Sequence, residues 1–148
     1  MVSFKPYLNY NGNCKEAFDL YKSVFGGEFS IITTFADMPV TGEGQITEED
    51  KDKVMHVTLQ LENGTIIMGS DCPSTMPKVA NGTNISVSIS ADSEEEVDKI
   101  FAALSEGGKV IMPVEKTFWN SYFGMFTDRF GVNWMVSYEY PRDNTEEK

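Results

Sequence analysis

One histidine, two cysteines and a set of hydroxyl residues on alternating positions are the side chains of this sequence best suited to chemistry. His56 alternates with Thr58 and Gln60, while Met55, Val57, Leu59 and Leu61 take the positions between. That alternation is the mark of a half-buried strand, so His56, Thr58 and Gln60 share its polar face. A histidine there can act as a general base or bind a ligand. The plainer alternative is a hydrogen-bonded strand histidine without chemistry. Ser86 and Ser88 alternate with Ile85, Val87 and Ile89 and offer hydrogen bonds to a ligand. Neither is paired with a visible base, which argues against a nucleophilic serine. Cys14 lies near an expected helix start, where the macrodipole can lower a thiol pKa. Yet Cys14 and Cys72 form no CxxC pattern, and two such thiols are ordinary in a reducing compartment.

Aromatic side chains supply a second candidate surface. Phe118-Trp119 and Tyr122-Phe123 are the densest cluster and would give flat walls to a planar or cationic ligand, with core or dimer packing as the alternative. Trp134 and Met135 alternate, so one faces a helix layer and the other faces away. Met38, Met68 and Met125 offer a pliable lining. A single histidine, with no HxxxH or His-x-Glu pattern, argues against a zinc-type centre, and an all-carboxylate magnesium or calcium site stays open although no EF-hand loop is present. With no GxGxxG or Walker sequence, no nucleotide cofactor is expected.

These residues need elements to position them. Residues 4–10 read as an aromatic strand, broken by Asn11-Gly12-Asn13, with Asn13 able to cap a helix. Ala17, Phe18, Tyr21, Val24 and Phe25 then recur at helical spacing, and Gly26-Gly27 ends the helix. Residues 28–35 form a strand. Residues 37–53 form a polar loop with room for a short helix at 47–51. Residues 54–61 and 65–70 are paired strands joined through Asn63-Gly64, a favoured two-residue turn. The order then repeats: a strand at 84–91; a helix capped by Asp92 or Ser93 with Val97, Ile100, Phe101 and Leu104 on its apolar stripe; a Gly107-Gly108 stop; and three strands near 109–118, 122–127 and 133–140. The result is α+β, strand–helix–three strands twice, with module one at about 1–71 and module two at about 84–140 of a single domain, 1–140. Each sheet has one face under a helix and needs cover for the other, so two modules can curve around a shared cleft. Residues 141–148 are a charged tail.

Composition narrows the partners. A formal net charge of −11 with no basic stripe repels nucleic acid. No apolar run approaches the roughly 20 residues of a bilayer span, and residues 1–6 lack the pattern of a signal peptide. The expectation is a cytoplasmic protein with no nucleic-acid or membrane partner.

Several segments also carry a family resemblance. They are Pro6-Tyr7-Leu8, Glu16-Ala17-Phe18 through Tyr21 to Phe25-Gly26-Gly27-Glu28, Met55-His56-Val57, Met68-Gly69-Ser70-Asp71, Phe118-Trp119 with Tyr122-Phe123-Gly124, and Asp128-Arg129-Phe130-Gly131-Val132-Asn133-Trp134. With the duplicated βαβββ order, the chain resembles the PhnB-like branch of the vicinal oxygen chelate superfamily, which includes glyoxalase I, bleomycin-resistance proteins and extradiol dioxygenases. The resemblance implies an open, barrel-like mixed sheet with a central cleft, and commonly a homodimer. Metal-dependent relatives hold a divalent ion with residues from the first, fourth, fifth and eighth strands. Carried onto this chain, those positions fall near Pro6, Met68, Asn84 or Ser86, and Met135, none a usual ligand for a hard or borderline ion. The expected protein binds an unidentified small molecule without metal or cofactor, through His56, Ser86, Ser88, Trp119, Tyr122 and Met135. Two alternatives remain: a lyase, isomerase or dioxygenase that is metal-dependent or uses His56 as its catalytic group, and, with less support, the methyltransferase that the branch is sometimes labelled.

Overall fold

A computed structural model describes residues 1–37 and 47–141. Met38 and the segment around Pro39, Gly42 and Gly44 lie outside the described residues, as does the tail from residue 142 onward. The chain divides into two compact units, Met1–Ala80 and Asn81–Lys148. In the first unit the order is β1 (Tyr7–Tyr10), α1 (Cys14–Phe25), β2 (Glu28–Thr34), β3 (Val54–Gln60) and β4 (Ile66–Asp71). In the second it is β5 (Val87–Ser90), α2 (Glu94–Ser105), β6 (Lys109–Lys116), β7 (Ser121–Thr127) and β8 (Asn133–Glu139). The sheets run β1-β4-β3-β2 and β5-β8-β7-β6. In each, only the pair that contains the unit's first strand is parallel. The fold is α+β with two open, mixed, four-stranded sheets, neither closed into a barrel. No helix among the described residues is long and apolar enough to cross a membrane.

Helical periodicity dictates how each helix seats. Cys14, Ala17, Phe18 and Tyr21 form the buried stripe of α1. Beneath it lie the fully buried Val57 and Leu59 of β3. Gly69 of β4 stands under Phe18, where a Cβ would come within 2.6 Å of the ring. In the second unit Val97, Ile100 and Leu104 are buried, and Phe101 meets Phe126 edge-on at 5.2 Å. The Gly-Gly pairs have a steric cause. A Cβ on Gly27 would lie 2.4 Å from the Gln60 carbonyl oxygen, and one on Gly108 would lie 2.1 Å from that of Thr127. At the same point of each unit, the chain enters its edge strand against neighbouring backbone.

Several boundaries differ from the sequence expectation. The first strand begins at Tyr7, after Pro6, and Phe4 is 94% exposed. Its parallel partner β4 begins only at Ile66, and the Pro6 carbonyl accepts the Met68 N–H as the first rung. The strand expected from residue 84 starts at Val87. Val87 pairs with Trp134, one residue into β8, so the residues before Ser86 have no strand to pair with. Instead the Asn133 side-chain amide donates to the carbonyls of Gly82 and Ile85. Residues 47–51 form a turn, closed by Asp50 N–H to the Thr47 carbonyl, and not a helix. At Asn63-Gly64 the turn is one residue longer than expected. Gly64 N–H bonds to Leu61 O with Gly64 left-handed (φ 89°), while the Asn63 side chain accepts the Thr65 N–H. β6 runs through Pro113, which an edge strand with two register shifts accommodates.

Caps also differ. Ser93 Oγ accepts the Glu96 N–H and caps α2 as expected. Asn13 occupies the cap position of α1, but its side chain makes no capping bond. That role falls to Asp71 at the end of β4. Its Oδ1 accepts the N–H groups of Gly12 and Cys14, and its Oδ2 that of Val54, each at 2.9 Å. Replacing Asp71 by Ala orphans three donors at once and should cost about 3 kcal/mol or more in urea unfolding at neutral pH. Asp71→Asn, which can keep the Oδ1 pair, should cost less.

Asp50 is buried and ties the turn after residue 47 to Ser74. It accepts from Lys53 Nζ at 2.8 Å, from Thr47 Oγ1, and from both the N–H and Oγ of Ser74. The Lys53 and Ser74 bonds hold its carboxyl well below the usual carboxylate range, despite burial pushing the other way. A depressed pKa gives stability that is complete above the unfolded value, about 3.9, and lost as pH falls through the folded one. The urea midpoint should therefore fall as pH drops below about 4. Asp50→Asn should lower the midpoint at neutral pH and flatten that acid limb.

Candidate functional site

Pairing register decides which side chains share a face. Val57 pairs with Gly69, and Leu8 pairs with the same glycine, so this row lies under α1. The next residues in each strand face away from the helix. One such row is Tyr7–Met68–Thr58–Ile31. Thr33 pairs with His56 on that face, and Ser70 pairs with Asn9. His56 therefore lies on the helix-free face of the first sheet, on the same side as Thr58 and Gln60.

A hydrogen-bonded group forms there. His56 Nε2 lies 2.8 Å from Thr58 Oγ1, and Nδ1 lies 3.3 Å from Tyr7 Oη. The Tyr7 and His56 rings are tilted at 41° with centroids 5.7 Å apart. A neutral imidazole has one donor nitrogen and one acceptor, and a hydroxyl can meet either. Thr58 is buried and Tyr7 is 43% exposed, so the group runs from a fixed inner end to an open outer end. The arrangement can bind a polar ligand atom at Tyr7, or pass a proton between that atom and His56. Tyr7 was missed in the sequence, where it reads as one more strand aromatic. Only the register that sets β1 beside Met68 reveals it.

In the second unit, Ser88, Met135, Met125 and Met112 form one cross-strand row. Phe123 lies on the same face, between Ser137 and Glu115. Ser88 and Met135, both expected as ligand-binding residues, are thus neighbours on the helix-free face. Trp134 alternates with Met135 and is buried on the opposite side, its Nε1 donating to Asp128 at 2.9 Å. Ser86 is half-buried just before β5. Trp119 lies in the β6–β7 turn, half exposed, with its ring 5.9 Å from that of Phe123.

Tyr122 is placed apart from this group. Its strand neighbour Phe123 faces away from α2, so Tyr122 faces towards it, and its hydroxyl donates to Asp98 on that helix at 2.7 Å. That bond raises the phenol above its ordinary pKa, with burial adding to it. Beside it, Tyr140 donates to Glu94, and burial followed by that bond pushes its pKa up to about 12. These tyrosines fasten α2 to its sheet. The spacing of Tyr122 from Phe123 carried the signal, since adjacent strand residues face opposite ways. Cys14 is fully buried, and burial pushes its thiol pKa up, the reverse of what a nucleophile needs.

Metal-ligating chemistry is sparse at the positions the resemblance indicates. On the helix-free faces, β1 and β4 carry Tyr7 and Met68, while β5 and β8 carry Ser88 and Met135. Pro6 lies one residue outside β1. Among the described residues, no three His, Cys, Asp or Glu side chains group so as to hold a metal. Thioethers and hydroxyls fit a hard or borderline divalent ion poorly, so no chemical step through such an ion is derived.

Two mixed βαβββ sheets, each covered by one helix, define the glyoxalase/bleomycin resistance/dioxygenase fold class. A domain of that class from Frankia sp. EAN1pec shares this fold at 10% identity, with a TM-score of 0.65 over 100% of this chain and 99% of that one. Residues 2–137 match the family described as 3-demethylubiquinone-9 3-methyltransferase, the PhnB-like family, and the chain belongs to it. Protein PA1353 from Pseudomonas aeruginosa is 41% identical, with a TM-score of 0.81 over 94% of this chain and 98% of its own. A Bacillus cereus PhnB protein, described as a putative 3-demethylubiquinone-9 3-methyltransferase, is 25% identical, with a TM-score of 0.73 over 93% and 99%.

Thr58→Val removes the fixed partner of His56 Nε2. It should lower stability by about 1 kcal/mol in urea and shift the imidazole nitrogen resonances in NMR. Tyr7→Phe, at the exposed end, should change stability by less than about 0.5 kcal/mol.

Proposed function

We propose that this protein binds a small molecule on the helix-free faces of its sheets, without the superfamily's metal site. The Tyr7–His56–Thr58 group carries the reading. It sets a few hydrogen-bonding groups among Met68, Ile31 and Thr33, and sparse polar groups on an apolar surface are the usual composition of a ligand site. Ser88, Met135 and Trp119 provide a comparable surface on the second sheet, and Ser86 flanks it. The reading takes the protein as cytoplasmic and homodimeric. Ile32 on edge strand β2, and Val110 and Ile111 on edge strand β6, are exposed apolar residues that a second copy would cover.

The Tyr7–His56 contact favours one second reading, acid–base chemistry with His56 as the base and Tyr7 as the relay to solvent. The methyltransferase description of the family has less support. Neither sheet is a doubly wound parallel sheet with a glycine-rich phosphate turn, the usual frame for a nucleotide-like cofactor.

Incubation with a metabolite extract, followed by native mass spectrometry, should recover a bound small molecule unchanged. His56→Gln should weaken that binding about tenfold with little change in Tm. A chemically altered product, abolished in His56→Gln, would move the assignment to acid–base catalysis. Stoichiometric divalent metal in untagged protein would overturn the metal-free site, and tight S-adenosylmethionine binding would restore the methyltransferase reading. Sedimentation should give twice the chain mass.

A further inference from the structure

We propose that Trp119, Phe123 and Glu115 form a corner on the second sheet that binds an organic cation with a flat aromatic body. This rests on the small-molecule reading above and names its ligand class.

The rings supply the walls. Trp119 and Phe123 are inclined at 68° with centroids 5.9 Å apart. Phe118, itself exposed, lies edge-on to Trp119 at 89° and 4.9 Å. Trp119 remains half exposed, so part of its ring is open to a ligand. Two inclined π-faces attract a cation lying within about 6 Å of their centroids. The turn is fixed below them, with Thr117 Oγ1 and Ser121 exchanging hydrogen bonds and Asn120 left-handed (φ 67°).

Charge selects the sign of the ligand. Glu115 pairs across the strands with Phe123 and is exposed on the same face. The two central rows of this face, Ser88–Met135–Met125–Met112 and Ser90–Ser137–Phe123–Glu115, contain no lysine or arginine. Lys116, next in sequence, points to the other face and lies over the Tyr140 ring at 5.7 Å. Among the described residues, none of the ion pairs involves Glu115. Lys109 lies at the far end of the face, opposite Thr127. A phosphate, phosphonate or carboxylate ligand at this corner would meet the Glu115 carboxylate, with no lysine or arginine in the two central rows to offset it. A cation meets Glu115 and two rings, with polarisable thioethers extending the platform for its flat body.

Three probes of one shape separate the possibilities: N-methylacridinium, neutral acridine and acridine-9-carboxylate, titrated at mildly alkaline pH by calorimetry. The cation should bind saturably and at least about tenfold tighter than the carboxylate. Glu115→Gln should weaken the cation about three- to tenfold and leave acridine unchanged, and Trp119→Leu should weaken both. Both sites are exposed, and an unchanged Tm checks that the variants fold. Equal or tighter binding of the carboxylate overturns the ligand class while keeping a small-molecule site. So does a Glu115→Gln variant that binds the cation as before. If none of the three binds, the corner is not a ligand site, and the extract experiment on His56 then decides the broader reading by itself.

Discussion

A single buried carboxylate holds the first unit in register. Asp71 receives three backbone N–H groups, two from the turn that enters α1 and one from the start of β3. A buried ionised carboxylate is costly unless its oxygens are met by donors. Here they are met by groups that would otherwise be orphans, since the first N–H groups of a helix lack internal partners. Charge-assisted bonds of this kind are stronger than neutral ones. One side chain therefore fixes where β1 stops, where α1 begins and where β3 enters the sheet. His56 lies two residues beyond Val54, and Tyr7 lies in the strand paired with β4. The Tyr7–His56–Thr58 group is thus positioned by a residue outside it.

The second unit uses the same kind of device at another place. Asp128 accepts the N–H groups of Phe130 and Val132 with one oxygen and the Trp134 indole with the other. The turn before β8 and the largest fully buried side chain are thereby locked together. The units share strand order, helix placement and the close approach behind each Gly-Gly pair, yet each reaches closure with its own aspartate. Backbone geometry constrains the order more tightly than it constrains which residue satisfies the loose donors.

Legibility in the sequence follows from the range of each interaction. The alternation of Val57 and Leu59 with His56 and Thr58 is local and specified the faces of β3. The helical stripe of Phe18 and Tyr21, the cap at Ser93 and the Gly-Gly stops are local as well. What the sequence did not show depends on partners far along the chain. The cap of α1 comes from Asp71, not from Asn13. The start of β5 is set by where β8 begins. Tyr7 gains its meaning from residues 49 and 51 positions away. Tyr122 is the instructive case, because density of aromatics suggested one wall, while strand alternation sends Tyr122 to Asp98 and Phe123 to the opposite face.

The two units share strand order, and their helix-free faces differ chiefly on the third strand. By strand order β4 corresponds to β8 and β3 to β7. Met68 with Ser70, and Met135 with Ser137, then occupy matching places in their own sheets. The third strand breaks the match: His56 on β3 stands where Phe123 stands on β7, opposite the edge-strand residues Thr33 and Glu115. One face therefore keeps a hydrogen-bonding centre, and the other keeps an aromatic one with a carboxylate beside it. Retained thioethers at the two matching positions cannot supply the charge or hardness that a divalent ion requires. Under the proposed ligand-binding reading, affinity on such faces would come from shape, polarisable contact and a few oriented hydroxyls, and selectivity from the third strands, where the two units differ most.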